Sequence, residues 1–273
     1  MKNKIRIAVV MLFFLNSASA ETLETDFYKA EVPEGWLVSR DTSGLWAMEP
    51  SGNNLPLKAT VLVNRLRATP ELYLQGTARL WSSKGEVEVL EDASKHQEGL
   101  IVFLIRPKLE EQDSVLKFVQ WQDDLMVITS LMFPVKHLQE ALQTGERFSE
   151  TVELKPIDFQ PKRLKALISE TLKKHDESSE DLMDPSLVRT EMGSFRQDWE
   201  PYFPHYKPPL YLAFQAYLEA RFDASFAQVN GPGLGMPQDL IQSRFQSVDN
   251  RKAELLPLLD APFDPDGESK DSL

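Results

Sequence analysis

Apolar residues in this chain recur first at every second position and later at every third or fourth, and the change of period divides the sequence in two. From Asp26 to about Leu154 short alternating runs dominate, the mark of half-buried strands. Asp26–Val32 predicts a strand, stopped by a Pro33-Glu34-Gly35 turn and resumed at Trp36. Leu45–Glu49 and Leu57–Leu66 follow, the latter with Ala59, Val61 and Val63 on one face. Thr69 and Pro70 form a helix start, after which Leu74, Ala78 and Trp81 share a face that should lie across the sheet. Val87–Leu90 comes next, and Leu100–Ile105 is continuously apolar, as a strand covered on both sides would be. Val115–Trp121 and Leu125–Phe133 predict a hairpin across Gln122-Asp123-Asp124, and Val135–Phe148 carries Leu138, Ala141 and Leu142 at helical spacing.

Beyond Lys155 the strand pattern stops. Pro161–His175 predicts a helix with a Leu164, Leu167, Ile168, Leu172 stripe, and Asp176–Asp181 an acidic linker. Leu210–Phe226 shows Phe214, Leu218 and Phe222 every four residues beside Ala213, Ala216 and Ala220; Pro237–Phe245 and Arg251–Leu259 predict two shorter helices. The expected division is a leader at 1–20, an α+β domain at 21–155, a helical domain at 156–259 and a disordered acidic tail at 260–273.

The chain begins with Lys2, Lys4 and Arg6, an apolar run Ile7–Leu15, and Ala18-Ser19-Ala20. This is the layout of a secretion signal, with cleavage expected between Ala20 and Glu21. Nine apolar residues rise about 14 Å as a helix against about 30 Å of hydrocarbon, so the run is short for a membrane span, and no later stretch is longer. The expectation is an exported, periplasmic, soluble protein with no integral membrane segment after cleavage. The absence of cysteine excludes disulfides, thiolate ligands, a cysteine nucleophile and an acylated cysteine. The formal charge of −12 disfavours nucleic acid and anionic lipid, and loss of the three leader cations would deepen it.

The strand, helix, strand, helix order, opened by Phe27, Val32, Pro33, Gly35 and Trp36, resembles the PsbP-like superfamily with its DcrB-like periplasmic proteins, over residues 25–153. The resemblance implies an antiparallel sheet with two packed helices, followed here by an all-α extension, and a non-enzymatic accessory role toward a larger assembly. Two departures stand beside it: no lipid-bearing cysteine, and about a hundred extra helical residues.

Candidate chemistry thins under inspection. Asn230-Gly231-Pro232-Gly233-Leu234-Gly235 lacks the Lys-Ser or Lys-Thr of a phosphate loop. Aligning Gly267 with the glycine of a calcium loop places Pro262 and Leu273 at ligand positions. Ser114 and Lys117 sit three apart in a strand, on opposite faces. The histidines His96, His137, His175 and His205 form no helical pair, and no metal or cofactor is expected. One cluster remains, four aromatics and four prolines in Trp199–Pro209. Trp199, Tyr202, Phe203, His205, Tyr206 and the following Tyr211 form either a surface for an envelope protein partner or the packing of helices onto sheet. The alternative to a non-enzymatic binding protein is a small-molecule or glycan binder or hydrolase with a carboxylate-lined cleft between the two regions. An export chaperone is a third possibility.

Overall fold

The computed structural model describes residues 21–41, 43–52, 56–65, 70–93, 98–109, 112–177, 184–203 and 207–263. Its architecture is α+β. Strands β1 (Thr22–Glu24), β2 (Tyr28–Glu31), β3 (Trp36–Arg40), β4 (Trp46–Pro50) and β5 (Lys58–Arg65) precede helix α1 (Pro70–Trp81). Then come β6 (Gly85–Asp92), β7 (Glu98–Pro107), β8 (Ser114–Gln122), β9 (Leu125–Phe133), helix α2 (Leu138–Glu150) and β10 (Glu153–Leu154). Helices α3 (Pro161–Glu177), α4 (Pro185–Trp199), α5 (Pro209–Asn230) and α6 (Gln238–Asp260) complete the chain.

All strand pairs are antiparallel, and they form two sheets where the sequence pattern implied one. The large sheet runs β3-β4-β5-β9-β8-β7-β6, and β1-β2-β10 makes a small one. The Pro33-Glu34-Gly35 turn, closed by Trp36 N–H to the Pro33 carbonyl at 3.1 Å, therefore carries the chain from one sheet to the other.

Both faces of the large sheet are apolar because β7, β8 and β9 alternate between two cores. Val102, Leu104, Leu116, Phe118 and Val127 face the larger core, with α2, the small sheet and the helical region. Ile101, Phe103, Ile105, Val119 and Ile128 face a smaller one, covered by Tyr73, Leu74 and Trp81 of α1. The expectation for the Leu100–Ile105 run thus holds. Helix α2 lies close because Gly145 faces Phe118: a Cβ there would collide with the ring.

Two helical expectations change. Helix α4, invisible to the pattern reading, occupies 185–199; Asp184 caps it by accepting from Ser186 N–H at 2.8 Å, with Pro185 in the first turn. The two short helices expected beyond Pro237 are one, α6, running unbroken across Asp249-Asn250 with Pro257 inside it. The Gly-rich segment after Asn230 is the turn between α5 and α6. Leu234 and Met236 spend their N–H groups on the carbonyls of Asn230 and Gly231, at 3.1 and 2.8 Å, which leaves them turned inward. No described helix is long and apolar enough to cross a membrane.

The helical region shares the larger core: Leu164, Ile168, Phe195, Tyr211, Phe214 and Leu255 belong to the same cluster as Phe27 and Phe118. Where α4 meets the β3–β4 turn, the two backbones touch. Gly44 has φ +75°, and a Cβ on it would strike Gly193; one on Gly193 would strike Ser43. Gly44→Ala is expected to cost about 2–4 kcal/mol, the sum of left-handed strain and overpacking. Gly193→Ala, free of the φ penalty, should cost less. Denaturant unfolding of both variants measures this; unchanged midpoints would refute the contact.

Candidate functional site

Near this contact a cleft of about 420 Å³ opens between the small sheet, the β3–β4 hairpin and helices α3, α4 and α5. Its size is that of a small-molecule site. Phe27, Trp46, Phe195, Trp199 and Phe214 supply an apolar floor, and Asp26, Arg40, Arg163, Glu191 and Asp198 bring the charges.

Each charge is held. Arg40 and Trp46 face one another across the β3–β4 ladder, which places the guanidinium 3.9 Å over the indole ring. Arg40 then donates through Nη1 to the Gly44 carbonyl and through Nη2 to Asp198 Oδ1 at 2.6 Å. Asp198 keeps contact with solvent at the cleft mouth. Yet crowding there raises its carboxyl above the usual range, desolvation outweighing the opposing pull of Arg40. Asp26, between β1 and β2, receives both Arg163 guanidinium nitrogens, Nη1 to Oδ1 at 3.1 Å and Nη2 to Oδ2 at 3.0 Å. The Tyr202 hydroxyl adds a third bond, to Oδ2 at 2.9 Å.

A buried chain of polar groups orients Glu191. His175, at the end of α3, lies between the Tyr217 hydroxyl, 3.1 Å from Nδ1, and Glu191 Oε1, 2.9 Å from Nε2. Arg221, 2% exposed, lies near the same hydroxyl, where its charge opposes the upward push of burial on the phenol. A carboxylate only accepts, so Nε2 carries the hydrogen that reaches Glu191, and in the neutral ring Nδ1 accepts from Tyr217. His175 is a core histidine with a directional task.

The six aromatic residues expected to form a partner surface fall as follows. His205 and Tyr206 lie outside the described residues, as does Ala20; Glu21 is described and its carbonyl accepts from Val32 N–H at 2.7 Å. Trp199, Tyr202, Phe203 and Tyr211 are all buried, Tyr211 completely. They pack onto rings from other segments: Tyr202 on Phe27 at 4.8 Å between centroids, Phe203 on Phe159 at 4.9 Å, Tyr211 on Phe195 at 5.0 Å. Phe159 also meets Trp199, Tyr202 and Phe263. These four rings therefore bind helices to sheet, and only Trp199 also lines the cleft. The burial arises because Phe27, Phe159 and Phe263 supply matching apolar faces from three distant segments. Ser114 and Lys117 diverge as expected; Lys117 Nζ lies 3.0 Å from the Tyr73 hydroxyl, on the α1 face.

Of the residues that build the cleft, Trp199 was singled out in the sequence and the charged ones were not. Arg40 and Asp198 are 158 positions apart, and no motif links them. The one local signal is Glu191, Ser194 and Asp198 at spacings of three and four, a polar stripe beside buried Val188, Phe195 and Trp199.

No protein-family model matches the chain, and no curated protein does. Solved structures of similar fold include cyanobacterial PsbP from Synechocystis sp. PCC 6803, with TM-score 0.39 and 9% identity over 52% of this chain and 96% of that one. A crystal structure from Bacteroides thetaiotaomicron VPI-5482 gives TM-score 0.38 and 8% identity over 77% of this chain and 78% of that one. LpqN, involved in cell envelope biogenesis of Mycobacterium tuberculosis, gives 0.36 and 10% over 51% and 87%. The likeness is one of fold.

Two outcomes test the burial of these rings. Tyr202→Ala should lower stability by about 3–4 kcal/mol, the cost of a buried aromatic, and the thermal midpoint reports it; an unmoved midpoint would return Tyr202 to the surface. Burial also raises the phenols of Tyr28, Tyr202, Tyr211 and Tyr217 above the ordinary tyrosine range. The unfolded chain loses these protons first, so their stabilising contribution is intact below about pH 10 and declines above it. Ultraviolet titration should show these four ionising only with alkaline unfolding, and free titration at pH 10 would contradict it.

Proposed function

We propose that this is an exported, non-enzymatic binding protein of the bacterial envelope, serving an envelope protein as an accessory factor and taking its ligand in the cleft between sheet and helices. The observation that supports it is the pairing of the cleft's charges. Arg40 with Asp198, Arg163 with Asp26, and His175 with Glu191 hold fixed charges above an aromatic floor. Fixed charge over apolar area is what recognition requires. The Lys2–Ala20 leader supports export, and the PsbP-like resemblance supports the accessory role.

A second reading, glycan hydrolysis, is favoured by Asp198, because a raised carboxyl can serve as a general acid. Its position 2.6 Å from Arg40 favours the first reading, since the guanidinium holds the carboxylate form in place.

Expressed with its leader in a bacterium with two membranes, the protein should be recovered from the periplasm with Glu21 as its first residue, by intact mass. Native mass spectrometry of that material should show a co-purifying small molecule, lost when Thr171→Trp fills the cleft. A retained leader would overturn the export claim. A mass with no adduct in either form would overturn the cleft reading, and turnover of a chromogenic glycoside, abolished by Asp198→Asn, would replace it with hydrolysis.

A further inference from the structure

The ligand's chemistry can be read from which atoms in the cleft are already engaged. The two arginines are committed. Arg40 is bound by a carbonyl, a carboxylate and a ring face, and Arg163 directs both terminal nitrogens at Asp26. Asp26 is also saturated, with Arg163 on both oxygens and Tyr202 on one. Asp198 and Glu191 differ. Each spends one oxygen, on Arg40 and on His175, and among the described residues the other oxygen of each takes no hydrogen bond.

Both lie on α4 with Ser194 between them, and all three line the cavity. Seven residues of helix set their backbone positions about 10 Å apart along the axis. By charge, Arg40 is matched by Asp198 and Arg163 by Asp26, and Glu191 is the lining carboxylate with no lysine or arginine partner among the described residues. Glu191 is held from behind, because His175, itself bonded to Tyr217, engages its Oε1. Beside the stripe, Phe195 and Trp46 offer flat apolar area to an uncharged body.

We infer that the cleft binds an organic cation, an ammonium or guanidinium group carried on an apolar body, with the charge received by Glu191 and Asp198 and the body laid on the aromatic floor. The inference rests on the reading of the cleft as the binding site and adds the sign and shape of what enters it.

The test uses three probes of one shape and different charge on the mature full-length protein: phenethylamine, 3-phenylpropanoate and 2-phenylethanol. Calorimetry, with Trp46 and Trp199 emission as a second readout, should show saturable binding of the amine. The acid and the alcohol should bind at least tenfold more weakly. Glu191→Gln keeps an acceptor for His175 and removes the charge, so it should weaken the amine at least fivefold with the circular-dichroism melt unmoved. If that variant melts early, Asp198→Asn carries the same comparison. Equal or tighter binding of the acid overturns the sign, equal binding of the alcohol overturns the role of charge, and no binding of any probe overturns the ligand class. A co-purifying molecule that disappears in Thr171→Trp but proves anionic would leave the cleft reading standing and sink only this inference.

Discussion

Where α4 crosses the β3–β4 turn, no side chain separates the two backbones, and Gly44 and Gly193 are the residues that permit it. The consequences extend outward from that contact. It brings the C-terminal half of α4 over the end of β3, so that Asp198 reaches Arg40 and Trp199 reaches the rings around Phe159. It also sets the width of the cleft, since α4 forms one wall and the hairpin the other. A methyl group at this point would wedge the walls apart and unmake the Arg40–Asp198 ion pair, which spans them.

The aromatic joint performs the complementary task of holding the walls together. Phe27 from the small sheet, Phe159 from the segment before α3, Tyr202 and Phe203 from the turn after α4, and Phe263 beyond α6 meet in one cluster. Arg163 and Tyr202 converge on Asp26 at its edge. A buried ring is worth a few kcal/mol only if its neighbours close around it, and here four segments must be in place at once. Sheet and helices consequently share a single core, rather than meeting at a wet, adaptable boundary.

Much of the sheet was legible because strand patterns are local: β5 follows from residues two apart, β7 from an unbroken apolar run, β8 and β9 from two such runs about a polar turn, and α1 and α2 from residues three or four apart. Helix α4 escaped because Gly193 reads as a breaker when it is in fact a contact, and because Arg189, Arg196 and Asp198 interrupt its apolar stripe. Continuity of α6 across Asp249-Asn250 comes from Val248 and Leu255, which pack into the core on either side of a polar gap that resembles a loop. The aromatic cluster was visible, but composition cannot tell a presented ring from a packed one, and the partners that bury Tyr202 and Tyr211 lie far away in sequence. The cleft was illegible for the same reason: pairs such as Arg163 with Asp26, 137 residues apart, are products of the fold.

Both ends of the described chain converge on this joint. Glu24 and Thr25 border the cleft three and four residues after Glu21, while Phe263 stacks on Phe159 and Lys165 holds the Ala261 carbonyl at 2.6 Å. A fusion partner or affinity handle joined directly to Glu21 would stand near the opening. Internal insertion in the α5–α6 turn, where Gly233 and Leu234 are exposed, offers a distant point of attachment for immobilising the molecule with its cleft unobstructed.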